Sequence, residues 1–170
     1  MDATPIEIER KYIIKKPKRD VLTLAEEYTA SEIEQIYLKS NPGVTHRIRK
    51  RKSGEITTYT ETKKIRIDKV SAYEDEREIS EEEYASLSSL ARPNTRPVVK
   101  VRHTFVYENQ LFEIDEYPKW KSICIMETEL KSREQRVKFP SFIKIIKEVT
   151  GERQYSNAKM AESFPEETKI

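Results

Sequence analysis

Charged side chains recur at every second position in several segments of the sequence, and each segment carries mostly one sign. Glu7 and Glu9 form an acidic pair, and Arg47 and Arg49 form a basic pair. The remaining pairs with this spacing are Glu76 and Glu78, Lys100 and Arg102, Glu113 and Asp115, and Glu127 and Glu129. Residues i and i+2 of a β-strand point to the same face, so each pair forms a charged column on its strand.

Acidic and basic columns on strands have two interpretations, a binding site for phosphate and its cation or a solvent-exposed face. Lysine and arginine bind phosphoryl oxygens, and one arginine can hold two of them at once. Carboxylates repel a polyphosphate, so carboxylates beside it imply a bridging cation, and oxygen ligands suit Mg²⁺ or Mn²⁺. The alternative is that the columns are the solvent-exposed face of an antiparallel sheet. Each column carries mostly one sign of charge, and this favours a binding site, because a surface that only confers solubility mixes both signs.

The pattern of apolar residues predicts the elements that carry these columns. Alternation of polar and apolar residues predicts strands over 6–14, 33–38, 44–52, 56–67, 73–79, 97–107, 111–117 and 122–131. Helical spacing predicts helices over 80–91, 141–149 and 157–163. The predicted fold is mainly β, of the α+β type. It is an eight-stranded antiparallel closed barrel with a few flanking helices and a C-terminal helical segment, because closure removes exposed sheet edges.

Length and composition exclude several classes of protein. The 170 residues suit a single domain, 1–170, and the 32 basic against 30 acidic residues imply no bulk attraction to nucleic acid or to an anionic membrane. The three glycines cannot build a glycine-rich phosphate loop, and the single Cys124 excludes a disulfide framework. Without a signal peptide or a membrane-spanning apolar run, we expect a cytoplasmic protein.

The charged motifs, taken in chain order, resemble those of the CYTH, or triphosphate tunnel metalloenzyme, family. Glu7-Ile8-Glu9-Arg10-Lys11 is similar to the family's Glu-x-Glu-x-Lys signature near the N-terminus. The later motifs follow in family order. They are Gln35-Ile36-Tyr37-Leu38, Arg47-Ile48-Arg49, Thr60-Glu61-Thr62-Lys63-Lys64, Glu76-Arg77-Glu78, Lys100-Val101-Arg102, Glu113-Ile114-Asp115 and Glu127-Thr128-Glu129. The resemblance covers about residues 5 to 162, and its last part is similar to small bacterial tripolyphosphatase-like members.

The resemblance implies a role for each matching residue. Metal-binding carboxylates would be Glu7, Glu9, Asp115, Glu127 and Glu129. Substrate-binding cations would be Lys11, Arg47, Arg49, Lys64, Lys100 and Arg102, and register favours Lys64 over Lys63 as the residue that faces inward. The groups closest to the reaction would be Glu7, Glu9, Lys11, Tyr37 and Lys100. Glu74 stands where an arginine is expected in related proteins, which removes one expected phosphate contact.

The activity implied by the resemblance is hydrolysis of a triphosphate with Mg²⁺ or Mn²⁺ as cofactor, most simply of inorganic tripolyphosphate. The alternatives are a thiamine triphosphatase, a class IV adenylate cyclase and a non-catalytic module that binds polyphosphate or nucleotide. Five inward carboxylates argue against a pure anion binder, and no set of residues for reading a nucleobase stands out. The expected partner is the small triphosphate, without nucleic acid or membrane, and the sequence leaves monomer and homodimer open.

Overall fold

The computed structural model of the chain describes residues 6–170, so the start of the predicted domain, residues 1–5, lies outside it. The described chain forms nine strands. They are β1 (Ile6–Lys15), β2 (Glu26–Tyr37), β3 (Val44–Ser53), β4 (Ile56–Arg66), β5 (Ser71–Ile79), β6 (Val98–Tyr107), β7 (Gln110–Glu116), β8 (Ile123–Glu129) and β9 (Ile145–Glu148). All of their pairings are antiparallel.

The first eight strands close into a barrel. They follow one another in the order β5, β4, β3, β2, β6, β7, β8 and β1, and the ring closes where β1 also pairs with β5. Ile6 lies opposite Tyr73, and Ile8 lies opposite Ser71, in this closing contact. The predicted eight-stranded antiparallel closed barrel is therefore confirmed, although β2 begins seven residues earlier than its apolar alternation indicated.

The predicted helix over 141–149 is wrong, because its central part is the ninth strand. β9 (Ile145–Glu148) pairs with β1, with Tyr12 opposite Glu148 and Ile14 opposite Ile145. β1 is longer than the closing contact with β5, so its edge beyond Ile8 offers unpaired backbone groups. Those groups bind β9, and Ile145 and Ile146 are β-branched residues that suit a strand as well as a helix face.

Three short helices connect or cover the strands: α1 (Arg19–Leu22), α2 (Glu81–Ser88) and α3 (Asn157–Met160). The predicted start of α2 at Ser80 is confirmed. The Ser80 side chain accepts a hydrogen bond from the Glu83 backbone, and the Glu83 side chain accepts one from the Ser80 backbone, which forms a capping box. The predicted C-terminal helix is also present, but it ends at Met160, and α1 has no counterpart among the predictions.

Most apolar side chains of the barrel strands face outward, toward elements that cover them. Ile48 and Ile79 pack against Tyr84 of α2, and a second outer cluster surrounds Phe105, Phe112 and Met126. Ile13 and Ile125 instead continue the inward columns of Lys11 and Glu127, and they pack with Tyr117 and the C-terminal part of the chain. The alternate, charged positions consequently point into the barrel. In the described part of the chain, no helix is long and apolar enough to cross a membrane.

We expect Gly151→Ala to loosen the attachment of the C-terminal segment. Gly151 has a φ of 76°, and a Cβ built there would lie 2.9 Å from the Lys69 Cβ in the connection between β4 and β5. Strain and overlap together should cost more than the ~1 kcal/mol typical of a left-handed alanine. Gly43→Ala is the matched control, because Gly43 has a similar φ of 81° with nothing within 4 Å. Equal thermal shifts in the two variants would show that the contact with Lys69 contributes nothing.

Candidate active site

The barrel encloses a cavity of about 780 Å³ that is lined mainly by charged and polar side chains. The predicted site residues that line it are Glu7, Glu9, Lys11, Tyr37, Arg47, Arg49, Lys64, Arg102 and Glu127. They come from six strands, and each occupies an inward position of its strand's alternation. Lys64 lines the cavity and Lys63 lies on the outer face of the barrel, as register indicated.

Two arginines on β3 present cationic groups to this cavity, and among the described residues no carboxylate lies nearer to them than the 3.8 Å between Arg47 and Glu74. Arg49 donates from Nε and Nη2 to the Gln35 side-chain oxygen, at 3.0 and 2.7 Å. Burial, together with the charges of Arg47 and Arg102, lowers the pKa of Arg49 to about 10. Arg47 lies 3.8 Å from the nearest oxygen of Glu74, and within residues 6–170 its buried Nε has no hydrogen-bond partner. An anion entering the cavity would therefore relieve repulsion between these guanidinium groups.

Gln35 links Tyr37 to Arg49 by hydrogen bonds. The Gln35 amide donates to the Tyr37 hydroxyl at 3.1 Å, while its oxygen accepts from Arg49. Gln35 is fully buried, and Tyr37 is almost fully buried. Gln35 thus orients both side chains, a role that sequence reasoning missed although Gln35 stands in the quoted motif.

Acidic side chains line the cavity wall formed by β1 and β8. Lys11 pairs with Glu127 at 3.0 Å, and Lys64 forms an ion pair with Glu7. Burial opposes the charge of Glu127, yet Lys11 and Arg102 lower its pKa to about 2. Glu9 differs, because burial and then the charge of Glu127 raise the pKa of Glu9 to about 7. A cation near Glu9 would stabilise its ionised form.

Lys100 and Asp115 lie outside the cavity lining, although the resemblance implied that they bind substrate and metal there. Both are almost completely buried, and neither lines the cavity. Lys100 donates to Asp115 Oδ2 at 2.6 Å, and Arg102 donates to both Asp115 oxygens at 2.7 and 2.8 Å. These three charge-assisted hydrogen bonds engage the Asp115 carboxylate with Lys100 and Arg102, away from the cavity lining.

Arg102 reaches the cavity but is held by acidic neighbours on three sides. Its Nη1 donates to Glu113 at 2.7 Å, and its Nη2 lies 3.6 Å from Glu127 as well as bonding Asp115. Burial opposes its charge, but Asp115 and then Glu113 raise the pKa of Arg102. Burial lowers the pKa of Lys100 to about 7, against the attraction of Asp115 and helped by Arg102 and Arg49. Arg102 therefore stabilises the wall of the cavity, and Arg47 and Arg49 remain the better candidates for binding an anion.

Glu129 lies at the margin of the site. It faces Glu9 across the pairing of β1 and β8, it is exposed, and it is absent from the cavity lining. Of the other acidic pairs, Glu76 and Glu113 line the cavity and Glu78 does not. Within residues 6–170, no three His, Cys, Asp or Glu side chains converge closely enough to hold a metal by themselves.

The cavity has further basic residues that sequence reasoning did not assign to it. They are Arg51, Arg66, Lys69, Arg92, Arg153 and Lys159. Arg51 and Arg66 continue the inward columns of Arg49 and Lys64, so strand parity would have found them. The other four come from connections and from the C-terminal segment, where no local pattern indicates which way a side chain points.

The C-terminal segment lies across one end of the barrel interior. Residues Ser156 to Lys159 line the cavity, and Tyr117 donates from its hydroxyl to Asn157 at 2.7 Å. Arg92 donates to the Ala158 carbonyl at 3.0 Å and pairs with Glu162 at 3.0 Å. These contacts attach the segment to the mouth of the barrel, where it limits how far a bound molecule can extend.

The fold and the cavity together define the class of the protein, a closed antiparallel barrel with a charged interior. The inorganic triphosphatase NE1496 has a similar fold, with 25% sequence identity and a TM-score of 0.57 over 94% of this chain and 96% of its own. The PH1012 protein from Pyrococcus horikoshii OT3 shares the fold at 22% identity, with a TM-score of 0.56 over 75% of this chain and 81% of its own.

A third similar structure is that of HpAC1 from Hippeastrum, described as having a dominant triphosphatase activity. It shares the fold at 16% identity, with a TM-score of 0.50 over 75% of this chain and 81% of its own. No family model matches the chain. The search of curated proteins also gave no match. These structural neighbours share the fold of the chain and support the resemblance of its ordered charged motifs to the CYTH, or triphosphate tunnel, family.

Proposed function

We propose that the protein is a triphosphatase that hydrolyses a terminal phosphoanhydride bond of inorganic tripolyphosphate with the help of Mg²⁺ or Mn²⁺. The observation that carries the proposal is the opposition of two walls in one cavity. Arg47 and Arg49 supply positive charge on one strand, and burial beside other cations lowers the pKa of Arg49, while Glu9 and Glu127 supply carboxylates on other strands. A triphosphate with a divalent cation complements both walls. The triphosphatase activity of NE1496, at 25% identity over nearly the whole chain, supports the same proposal.

The basic wall would bind the phosphoryl oxygens. Arg47 and Arg49 can each donate two parallel hydrogen bonds, and Lys11 and Lys64 add point charges from β1 and β4. Charge on the equatorial oxygens is spread in the transition state of phosphoryl transfer, so fixed cations around them lower the barrier. The C-terminal segment across one mouth favours a short linear substrate over one with a bulky organic group.

The acidic residues fit a hard divalent cation, because all of their donor atoms are oxygens and Glu9 gains from a nearby positive charge. Mg²⁺ binds to proteins through one or two carboxylates together with water and substrate phosphates, so it needs no group of three protein ligands. Glu9 and Glu127 would hold it, with Glu7 and Glu129 next to them on the same two strands. When bound, the ion would neutralise phosphate charge and lower the pKa of a water molecule.

The remaining site residues would orient groups around the phosphates. Tyr37 presents its hydroxyl, fixed by Gln35, to the cavity and could hold a water molecule or a phosphate oxygen. Lys11 is paired with Glu127 and can donate to a phosphate at the same time, since an ammonium group has three hydrogens. Lys100 would act indirectly, by holding Asp115 and through it Arg102.

Phosphate release from tripolyphosphate, thiamine triphosphate and ATP, each with Mg²⁺ or Mn²⁺, tests the proposal directly. We expect tripolyphosphate to be hydrolysed fastest and the activity to disappear in excess EDTA. Activity that persists in EDTA would contradict the role of the metal. Cyclic AMP formed from ATP without free phosphate would instead indicate the cyclase alternative, and binding without turnover would indicate the non-catalytic module.

We expect Glu9→Gln to remove most of the metal-dependent activity while preserving the fold. The amide has nearly the same shape, but it cannot supply the negative charge that a divalent cation requires. Loss of a factor of about 10²–10³ in kcat is the expected size for removing one electrostatic contribution in an active site. Glu78→Gln is the matched control, because Glu78 is an exposed glutamate on β5 that does not line the cavity. Equal activities of the two variants would exclude Glu9 from metal binding.

A further inference from the structure

The outer face formed by β3, β4, β5 and the start of β1 is covered over only half of its length. α2 covers one half, where Tyr84 packs on Ile48 and Ile79. The other half carries a row of apolar side chains across four neighbouring strands. In order across the sheet, they are Val44, Ile65, Tyr73 and Ile6.

This apolar row remains open to solvent among the described residues. Ile6 is 53% exposed, Ile65 50% and Tyr73 43%. A groove of about 770 Å³ runs over Val44, Ile65 and Tyr73 and is bordered on one side by Lys39, Ser40 and Asn41. Contiguous exposed apolar side chains with a polar border are typical of interaction sites rather than of free surface.

Next to the apolar row lies a row of opposite charges. His46, Lys63 and Asp75 follow one another across β3, β4 and β5. Lys63 and Asp75 face each other across two paired strands, yet within residues 6–170 neither forms an ion pair within 4 Å. Both are exposed, so both remain free to meet a charge on another molecule.

We propose that this face joins two copies of the chain in a symmetric dimer. A twofold axis that runs parallel to β4 and β5, between them, places Ile65 against the partner's Tyr73. The same axis places Lys63 against the partner's Asp75, and Val44 against the partner's Ile6. Each contact occurs twice, as an isologous interface requires, so the face is complementary to itself both in charge and in apolar surface.

The size of the face sets the expected strength of the dimer. Four strands spaced about 4.8 Å apart make it roughly 15–20 Å wide. This is small compared with the roughly 800 Å² per partner of a standard stable interface. The dimer therefore forms at micromolar rather than nanomolar concentration. The face lies outside the barrel, so dimerisation leaves the cavity accessible and does not depend on the proposed activity.

Sedimentation velocity of the full chain over roughly 1–300 μM tests the proposal. We expect the apparent mass to rise from monomer to dimer over this range, and Ile65→Lys to weaken the dimer at least tenfold. Val99→Lys is the matched control, because Val99 is an equally exposed apolar strand residue, at 51%, on β6. A monomer at every concentration, or an equal effect of Val99→Lys and Ile65→Lys, would overturn the proposal.

A charge exchange on the same face gives a second test that keeps the apolar row intact. Lys63→Asp and Asp75→Lys should each weaken the dimer, because each brings like charges together twice across the axis. The double variant should restore it, since opposite charges face each other again. Circular dichroism melting verifies that all three variants are folded, and Lys52→Asp is the control at an exposed lysine of β3. Failure of the double variant to dimerise better than both single variants would overturn the proposed orientation.

Discussion

Arg49→Met should weaken tripolyphosphate binding by roughly 30-fold to several-thousand-fold, equivalent to about 2–5 kcal/mol. The guanidinium of Arg49 is buried in the cavity wall beside Arg47, and within residues 6–170 its side-chain hydrogen bonds go to the neutral Gln35. Its positive charge is therefore available to an anion. Isothermal titration calorimetry of tripolyphosphate in EDTA measures this effect separately from metal binding.

The same substitution should change the free energy of unfolding by no more than about 1 kcal/mol. Methionine removes the hydrogen bonds to Gln35, but it also removes repulsion from Arg47 and Arg102. Arg49→Lys should retain part of the affinity, because it keeps the charge and loses the forked geometry. Arg136→Met, at an exposed position, is the control. Equal affinities of Arg49→Met and Arg136→Met would place the phosphate site elsewhere.

Asp115→Asn should lower the free energy of unfolding by about 3–5 kcal/mol in the absence of any substrate. The substitution preserves the shape of the side chain but leaves Lys100 and Arg102 buried without the carboxylate that both contact. Urea denaturation monitored by tryptophan fluorescence gives the loss, since the chain has one tryptophan. A metal ligand would behave differently, because removing it relieves repulsion in the metal-free protein.

Acid pH should reduce the difference between Asp115→Asn and the unaltered protein. Burial opposes the charge of Asp115, but Arg102 and Lys100 hold its pKa well below the ordinary value. A lowered pKa in the folded state contributes stability that is complete above the unfolded pKa of about 3.9 and is lost as the pH falls below it. Glu148→Gln is the control, because Glu148 forms an exposed bidentate pair with Arg10 and should contribute only about 0–1 kcal/mol. Similar losses in both variants would contradict a structural role for the buried group.

Strand parity explains why much of the cavity lining could be predicted. Glu7, Glu9 and Lys11 alternate with Ile8 and Tyr12, and Tyr12 packs in an apolar cluster outside the barrel, so the charged column faces inward once the barrel closes. The same parity separates Lys64 from Lys63 and extends to Arg51 and Arg66. Period-two alternation is a local property of the chain, and local properties can be read without coordinates.

The pairing of charges could not be predicted, because it depends on which strands become neighbours. Lys100, Arg102 and Asp115 have the same sequence signature as the other inward pairs. The pairing of β6 with β7 brings them together and keeps Lys100 and Asp115 out of the cavity lining, whereas the pairing of β2 with β3 gives Arg49 a neutral partner. The binding or structural role of an inward charge is decided by cross-strand neighbours that are far apart in sequence.

Long-range pairing also overrides the local pattern in the secondary structure of the ninth strand. The apolar residues of 141–149 fit helical spacing, but β1 has a free edge beyond its contact with β5, and that edge binds Ile145–Glu148 as a strand. The sequence by itself determined the barrel, its inward charged columns and the family resemblance, because these follow from residue type and alternation. Only the tertiary structure decided which charges neutralise one another, where the C-terminal segment lies and which outer surface stays uncovered. Those features depend on long-range contacts, and the free energy of such contacts is set by burial and distance rather than by local pattern.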